Sequence, residues 1–174
     1  MRNVDTSHCR EYRDDKLKNY KSHVLNCVEM KERIRKDCQA AMDAGKSLLC
    51  LVSEVEHGRE LSEQLGIPFA TGKDKLSQSY VDQLNKGLIP GLIGTGGKVG
   101  EGTDTKNVDV LILANFVASK GPVIQAVGRG LRITKTKTSC IILDYLPTGS
   151  DMLARHAQGR LKYYQDITDD VKLI

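Results

Sequence analysis

Val108-Asp109-Val110-Leu111-Ile112-Leu113-Ala114 is the clearest strand signal in the chain. From Val110 onward it has no polar position, so neither face is left for water. A short run of this kind reads as a strand buried on both sides, the pattern of a parallel sheet. Leu48-Leu49-Cys50-Leu51-Val52 repeats the signal upstream. Working outward, Ile67–Ala70, Leu88–Ile93 (with Pro90 weakening its start) and Cys140–Tyr145 add three further strands. Helical segments alternate with them. Residues 22–44 carry Val24, Cys27, Val28, Ile34, Cys38 and Ala41 at three-and-four spacing. Val55–Leu65 and Lys75–Lys86 follow, the second with Leu76, Tyr80 and Leu84 on one face. Pro122 opens a helix to about Leu131, and Ser150–Tyr164 closes the series. Gly45, Gly66 and Gly87 stand where three of the helices should stop. The alternation predicts an α/β fold, a mainly parallel sheet with helices on both faces.

With 174 residues the chain is long enough for one domain with a proper core. Aromatic residues are 5% and tryptophan is absent, so that core must be aliphatic. A formal charge of +4 permits nucleic-acid binding without demanding it. The five cysteines are odd in number and form no CxxC pair, and the four histidines are scattered. Neither a disulfide framework nor a metal site is expected, and the pattern is that of a reduced, intracellular protein. Cys50 and Cys140 lie in apolar runs and read as small core residues. No apolar stretch is long enough to be a signal peptide or to cross a membrane. Residues 1–21 are polar and read as an arm or the end of a linker, with the folded unit spanning 22–174. A methionine followed by a polar stub fits a piece cut from a longer protein.

Chemistry concentrates after the strands, where ligands of open α/β sheets bind. Ser53 follows the first apolar strand, Thr71-Gly72 the second and Thr95 the third. Gly94 to Asp104 holds five glycines, a backbone bare enough to approach a ligand closely. The other reading of that segment is a flexible loop in which Asp104 caps a turn. Gln125-Ala126-Val127-Gly128-Arg129-Gly130-Leu131-Arg132 puts two arginines three residues apart. On a helix they share a face and offer two rigid forks of donors to a polyanion; the ordinary alternative is a solvated surface. Lys135-Thr136-Lys137-Thr138 is a short basic stretch of the kind that forms solvated turns. Gly45-Lys46-Ser47 is no phosphate-binding loop: Ala40 stands where that motif needs glycine, and the segment ends a helix instead of opening one.

Taken in order, Ser53, Ala70-Thr71-Gly72, Ile93-Gly94-Thr95 with Gly102-Thr103-Asp104, and Gln125-x-x-Gly128-Arg129-x-x-Arg132 resemble the C-terminal RecA-like lobe of superfamily 2 helicases and translocases. The last segment is similar to the DExH-type motif VI, Gly94 to Asp104 to motif V, and Leu49 to Ser53 to motif IV. Leu143-Asp144 and the basic helix with Arg155, Arg160 and Lys162 are similar to phage and repair helicases of the branch-migrating kind. The resemblance implies that Arg129 and Arg132 are arginine fingers for ATP and that Gln125 couples nucleotide state to lobe closure. It implies nucleotide contacts for Gly102, Asp104 and Gly128, and contacts of Thr95, Ser53 and Gly72 with a single- or double-stranded nucleic acid. ATP and Mg2+ would be held chiefly by an N-terminal RecA-like lobe of the same protein. The segment between Gly94 and Gly102 is richer in glycine than the family pattern. No phosphate-binding loop or Asp-Glu box occurs here, and Asp14-Asp15 and Asp169-Asp170 lack the preceding strand. A non-catalytic nucleic-acid-binding module is the alternative of another class.

Overall fold

The computed structural model describes residues 1–13, 15–72, 74–95, 105–116, 139–168 and 170–174. Their strands form a six-stranded sheet, all of whose pairings are parallel. In chain order the elements are β1 (Arg2–Val4), α1 (Lys16–Tyr20), α2 (Val28–Asp43), β2 (Leu48–Val52), α3 (Val55–Leu65) and β3 (Phe69–Ala70). Then come α4 (Ser77–Asn85), β4 (Gly91–Thr95), β5 (Val110–Ala114), β6 (Ile141–Pro147) and α5 (Asp151–Ile167). A π-helical turn, Lys21–Leu25, continues α1. The sheet order is β1-β6-β5-β2-β4-β3.

The centre of the sheet is β2, paired in register with β4 and β5 (Leu48 opposite both Gly91 and Val110, Val52 opposite both Thr95 and Ala114). All five residues of β2 and of β5 are buried. Successive side chains of a strand point to opposite faces. Leu48, Cys50 and Val52 therefore join Val110, Ile112 and Ala114 in a core closed by Met30, Ile34 and Cys38 of α2 and Leu61 of α3. Leu49 and Leu51 join Leu92, Leu111 and Leu113 in a second core, closed by Val81 and Leu84 of α4 and Ala157 and Tyr164 of α5. The expected two-sided α/β sheet is thus the observed one.

Local signals placed most boundaries. Gly45, at φ +67°, ends α2: its N–H reaches the carbonyl of Met42, and Lys46 N–H reaches that of Ala41. This double closure satisfies the last carbonyls of the helix. Gly45-Lys46-Ser47 is accordingly a helix stop, as its context in the sequence requires. Ser150 caps α5 by accepting from Leu153 N–H.

Four expectations are corrected. The stretch 22–44 is not one helix; it breaks at Asn26-Cys27, so Val28 is 73% exposed and Met30 takes the inward place. The inward face of α4 is Ser77, Val81 and Leu84, while Leu76 is exposed. Cys140 is half-buried at the margin of the second core and not within it. The polar residues before 22 do not fray. Arg2–Val4 adds an edge strand to β6. Beyond it, Asn19 accepts from Tyr12 N–H and donates to Tyr12 C=O, both at 2.7 Å. Thr6 Oγ1 accepts from Gly149 N–H at 3.1 Å and lies 3.0 Å from His23 Nδ1. A Cβ on Gly149 would sit 2.1 Å from the Thr6 carbonyl oxygen, so the turn after β6 needs glycine to admit this segment. Polar side chains bonded across the sequence leave no hydrophobic period to read.

Charges inside the fold are paired. Arg160 Nε donates to Asp144 Oδ2 at 2.7 Å and Nη2 to Oδ1 at 3.0 Å, and Tyr164 donates to Asp144 Oδ2 at 2.8 Å. This set locks α5 onto β6. Asp37 on α2 holds Arg2 of β1 at 3.0 Å, Arg33 at 3.2 Å and the Tyr145 hydroxyl of β6 at 3.1 Å. Removing one member of a buried pair strands the other charge. Arg160→Ala should therefore lower unfolding free energy by about 3–5 kcal/mol. Arg155→Ala, on the exposed face, should change it by less than about 0.5 kcal/mol. Urea unfolding of both variants checks the contrast.

His57 of α3 is buried, and burial is the main cause of its pKa falling to about 4; Glu60 opposes that shift and Lys31 adds to it. Burial lowers His23 in the same direction. An unfolded histidine titrates near about 6.5, so the unfolded chain binds more protons between the two values. Stability is then full above about pH 6.5 and is lost as pH falls towards 4. His57→Leu should remove on the order of 3 kcal/mol of that loss, read from urea midpoints at pH 7 and 4.5.

Candidate nucleic-acid and nucleotide edge

Every strand of a parallel sheet ends on the same side, so the carboxyl ends gather the residues that follow them. Because Val52 is level with Thr95 and Ala114, Ser53 and Asn115 stand side by side one residue beyond the level of Thr95. Ala70 is level with Gly94, which brings Thr71-Gly72 alongside Thr95. Adjacent strands are about 4.8 Å apart. From β2 the chain first fills the β3 side of the sheet and then returns to β5 on the other. That reversal makes the carboxyl ends of β4, β2 and β5 the switch-point crevice where such sheets bind ligands.

Ser53 is exposed, and its hydroxyl donates to the Asn115 carbonyl, tying β2 to β5 at their tips. Gly72 is exposed in the turn after β3, and Thr95 is half-buried as the last residue of β4. Beneath the edge, Phe116 packs between Tyr20 and Tyr145 with ring centroids 6.0 and 6.3 Å away. Phe116 has φ +46°, a left-handed backbone that bulky residues rarely adopt and that costs on the order of 1–3 kcal/mol. The aromatic packing on both sides supports it. Burial raises the Tyr20 phenol above its usual range, so it stays neutral there.

The structure thus brings Ser53, Gly72 and Thr95 to one edge. Gly102, Asp104, Gln125, Gly128, Arg129 and Arg132 lie outside the described residues, as do the Pro122–Leu131 helix and Lys135–Thr138. The two segments that carry them start from this edge by chain continuity, residues 96–104 from Thr95 and 117–138 from Phe116. Of the basic residues on α5, Arg155 and Lys162 are exposed, whereas Arg160 is 3% exposed and belongs to the interior. Sequence reading passed over that buried role. Its signal was Asp144, a carboxylate inside the apolar run Ile141–Leu146, with Arg160 and Tyr164 one helical turn apart. The histidines and cysteines are also less scattered than their spacing indicates: the ligand atoms of His8, Cys9 and Cys27 lie within 4.8 Å of one another. Among the described residues no helix is long and apolar enough to cross a membrane.

Known proteins share this architecture. No family model matches the chain. A Saccharomyces cerevisiae protein named "Putative ATP-dependent helicase IRC3" is 40% identical over 50 residues, which are 29% of this chain and 7% of that protein. The crystal structure of T4 UvsW superposes with a TM-score of 0.70 at 18% identity, covering 99% of this chain and 40% of that one. S. cerevisiae Dbp5 bound to RNA and ADP BeF3 superposes at 0.60 with 15% identity, over 83% of this chain and 37% of that one. The chain has the α/β RecA-like fold of superfamily 2 helicase C-terminal lobes. It spans well under half the length of these relatives.

Proposed function

We propose that this chain is the C-terminal lobe of an ATP-dependent DNA or RNA helicase or translocase. The observation that carries the reading is the switch-point edge. Ser53, Thr95 and Gly72 line it, and the glycine-rich and arginine-bearing segments both leave from it. This is the arrangement expected if one edge faces both a strand of nucleic acid and a nucleotide.

Thr95, Gly72 and Ser53 are assigned to the nucleic-acid backbone. Such contacts position a strand without reading its sequence. Hydroxyls and a bare backbone suit phosphate oxygens, although Ser53 must give up its bond to Asn115 to donate. Gly102, Asp104 and Gly128 are assigned to the nucleotide, Asp104 through the ribose hydroxyls. Arg129 and Arg132 are assigned as fingers on the γ-phosphate, with Gln125 linking that contact to closure of the lobes. ATP supplies the phosphoanhydride whose hydrolysis drives the cycle, and Mg2+ and most of the ATP grip are assigned to an N-terminal RecA-like lobe. Arginines placed where charge develops stabilise the transition state more than the ground state. Closing and opening of the two lobes would then move the chain along the strand.

Two measurements test this. The 174-residue chain alone should show negligible ATPase activity, with or without nucleic acid; robust turnover that is lost on Arg129→Ala would overturn the division of labour between lobes. In the protein carrying both lobes, Arg129→Ala should spare ATP binding and cut turnover by about a thousandfold or more. Unchanged turnover there removes the finger assignment. Single-strand binding that ignores ATP in the same protein would instead make the chain a passive nucleic-acid module.

A further inference from the structure

Folding gathers four potential ligands from two separate stretches of the chain, His8-Cys9 after the edge strand β1 and Cys27 with Glu29 at the start of α2. His8 and Cys9 sit in the turn after β1, which closes through Cys9 N–H to the Thr6 carbonyl at 2.9 Å. Cys27 is the residue capping α2, and Glu29 lies in its first turn. His8 Nε2 is 3.5 Å from Cys9 Sγ, 3.9 Å from Cys27 Sγ and 3.0 Å from Glu29 Oε2. Cys27 Sγ is 3.5 Å from Glu29 Oε2.

These are the dimensions of a metal cage. With Zn–S near 2.3 Å and Zn–N and Zn–O near 2.0–2.2 Å, a tetrahedron has N···S edges of about 3.6 Å and N···O edges of about 3.4 Å. Four of the six edges, those from His8 and that between Cys27 and Glu29, fall within a few tenths of an ångström of these values, while the Cys9–Cys27 edge is within 4.8 Å and Glu29 must turn to close on Cys9. Thiolate with imidazole is the donor set that selects zinc over magnesium or calcium.

We propose that His8 Nε2, Cys9 Sγ and Cys27 Sγ form a zinc site, with Glu29 closing the fourth position. Cys27 is 1% exposed and Cys9 half-buried, so the thiol side is fixed by packing. His8 and Glu29 are more than half exposed, so the ion enters from solvent and Glu29 can turn onto it. Zinc binding would release the thiol protons to solvent. The site would clip the β1 turn to the start of α2, beside the contact of Thr6 with His23 and Gly149. It is independent of the helicase reading.

Cobalt(II) is the probe, added to the reduced 174-residue chain and then displaced by zinc. One cobalt per chain should bind, with sulfur-to-cobalt charge transfer and the strong d–d bands of tetrahedral coordination. Cys9→Ser and Cys27→Ser should each cut the charge-transfer intensity to about half or less and the double variant should abolish it, and His8→Ala should weaken binding by more than about a hundredfold, beyond what changes outside the coordination sphere usually do. His8→Ala and Glu29→Gln alter exposed side chains, so they remain informative if a cysteine variant fails to fold. Cys140→Ser should behave as the parent chain. Zinc at about a hundredfold excess over Kd should raise Tm by about 5–10 °C. Absence of the charge-transfer band, or its undiminished intensity in both cysteine variants, would overturn the site. So would formation of a Cys9–Cys27 disulfide in a chain that takes up no cobalt.

Discussion

The parallel triplet β4-β2-β5 is the constraint on which the rest of the structure depends. Each residue of β2 and β5 is buried, and alternate side chains enter opposite cores. A sheet of this kind has no face that can be left to water, so helices must cover both sides. Parallel strands also need crossovers, and among the described residues α2, α3 and α4 lie in those from β1 to β2, β2 to β3 and β3 to β4. Apolar burial, at about 25 cal/mol per Å2, dominates the stabilising side of such an arrangement. The same geometry gathers the carboxyl ends of all the strands at one edge. Fold and site are therefore two results of one pairing pattern.

Around that centre, position is set by buried polar groups. Asp144 fixes α5 through Arg160 and Tyr164, and Asp37 joins β1, α2 and β6 through Arg2 and Tyr145. A carboxylate so placed tolerates burial only with its cations and donors in place, which makes each set sensitive to register. Phe116 shows the same logic in the backbone. Its left-handed conformation is held by Tyr20 and Tyr145 at the point where the chain leaves the sheet for the arginine-bearing segment. Rigid support under the edge is what a site needs if small displacements are to matter there.

Much of the fold was legible because its signals are local. The apolar runs at Leu48–Val52 and Val110–Ala114, the glycine stops and the Ser150 cap each act within a few residues. The edge was legible for the same reason, since Ser53 and Gly72 come just after their strands and Thr95 ends its own. What could not be read was orientation. Nothing in residues 22–44 shows that the helix must break at Asn26-Cys27, because the break serves contacts made by Tyr20 and His23 elsewhere. In α4 the turn after β3 decides which of Leu76 and Ser77 faces inward.

By itself the sequence determined the fold class, the order of strands and helices and the glycine and serine punctuation, since hydrophobic period and capping are properties of neighbouring residues. It also carried the motif order that points to a helicase lobe. Only the tertiary structure decided that residues 2–4 join the sheet, that Arg160 turns inward while Arg155 stays in water, and that His8, Cys9 and Cys27 converge. Each of these depends on atoms brought together across long separations in the chain, as Arg2 and Asp37 or Thr6 and Gly149 are. Such contacts are consequences of packing, and no local pattern records them.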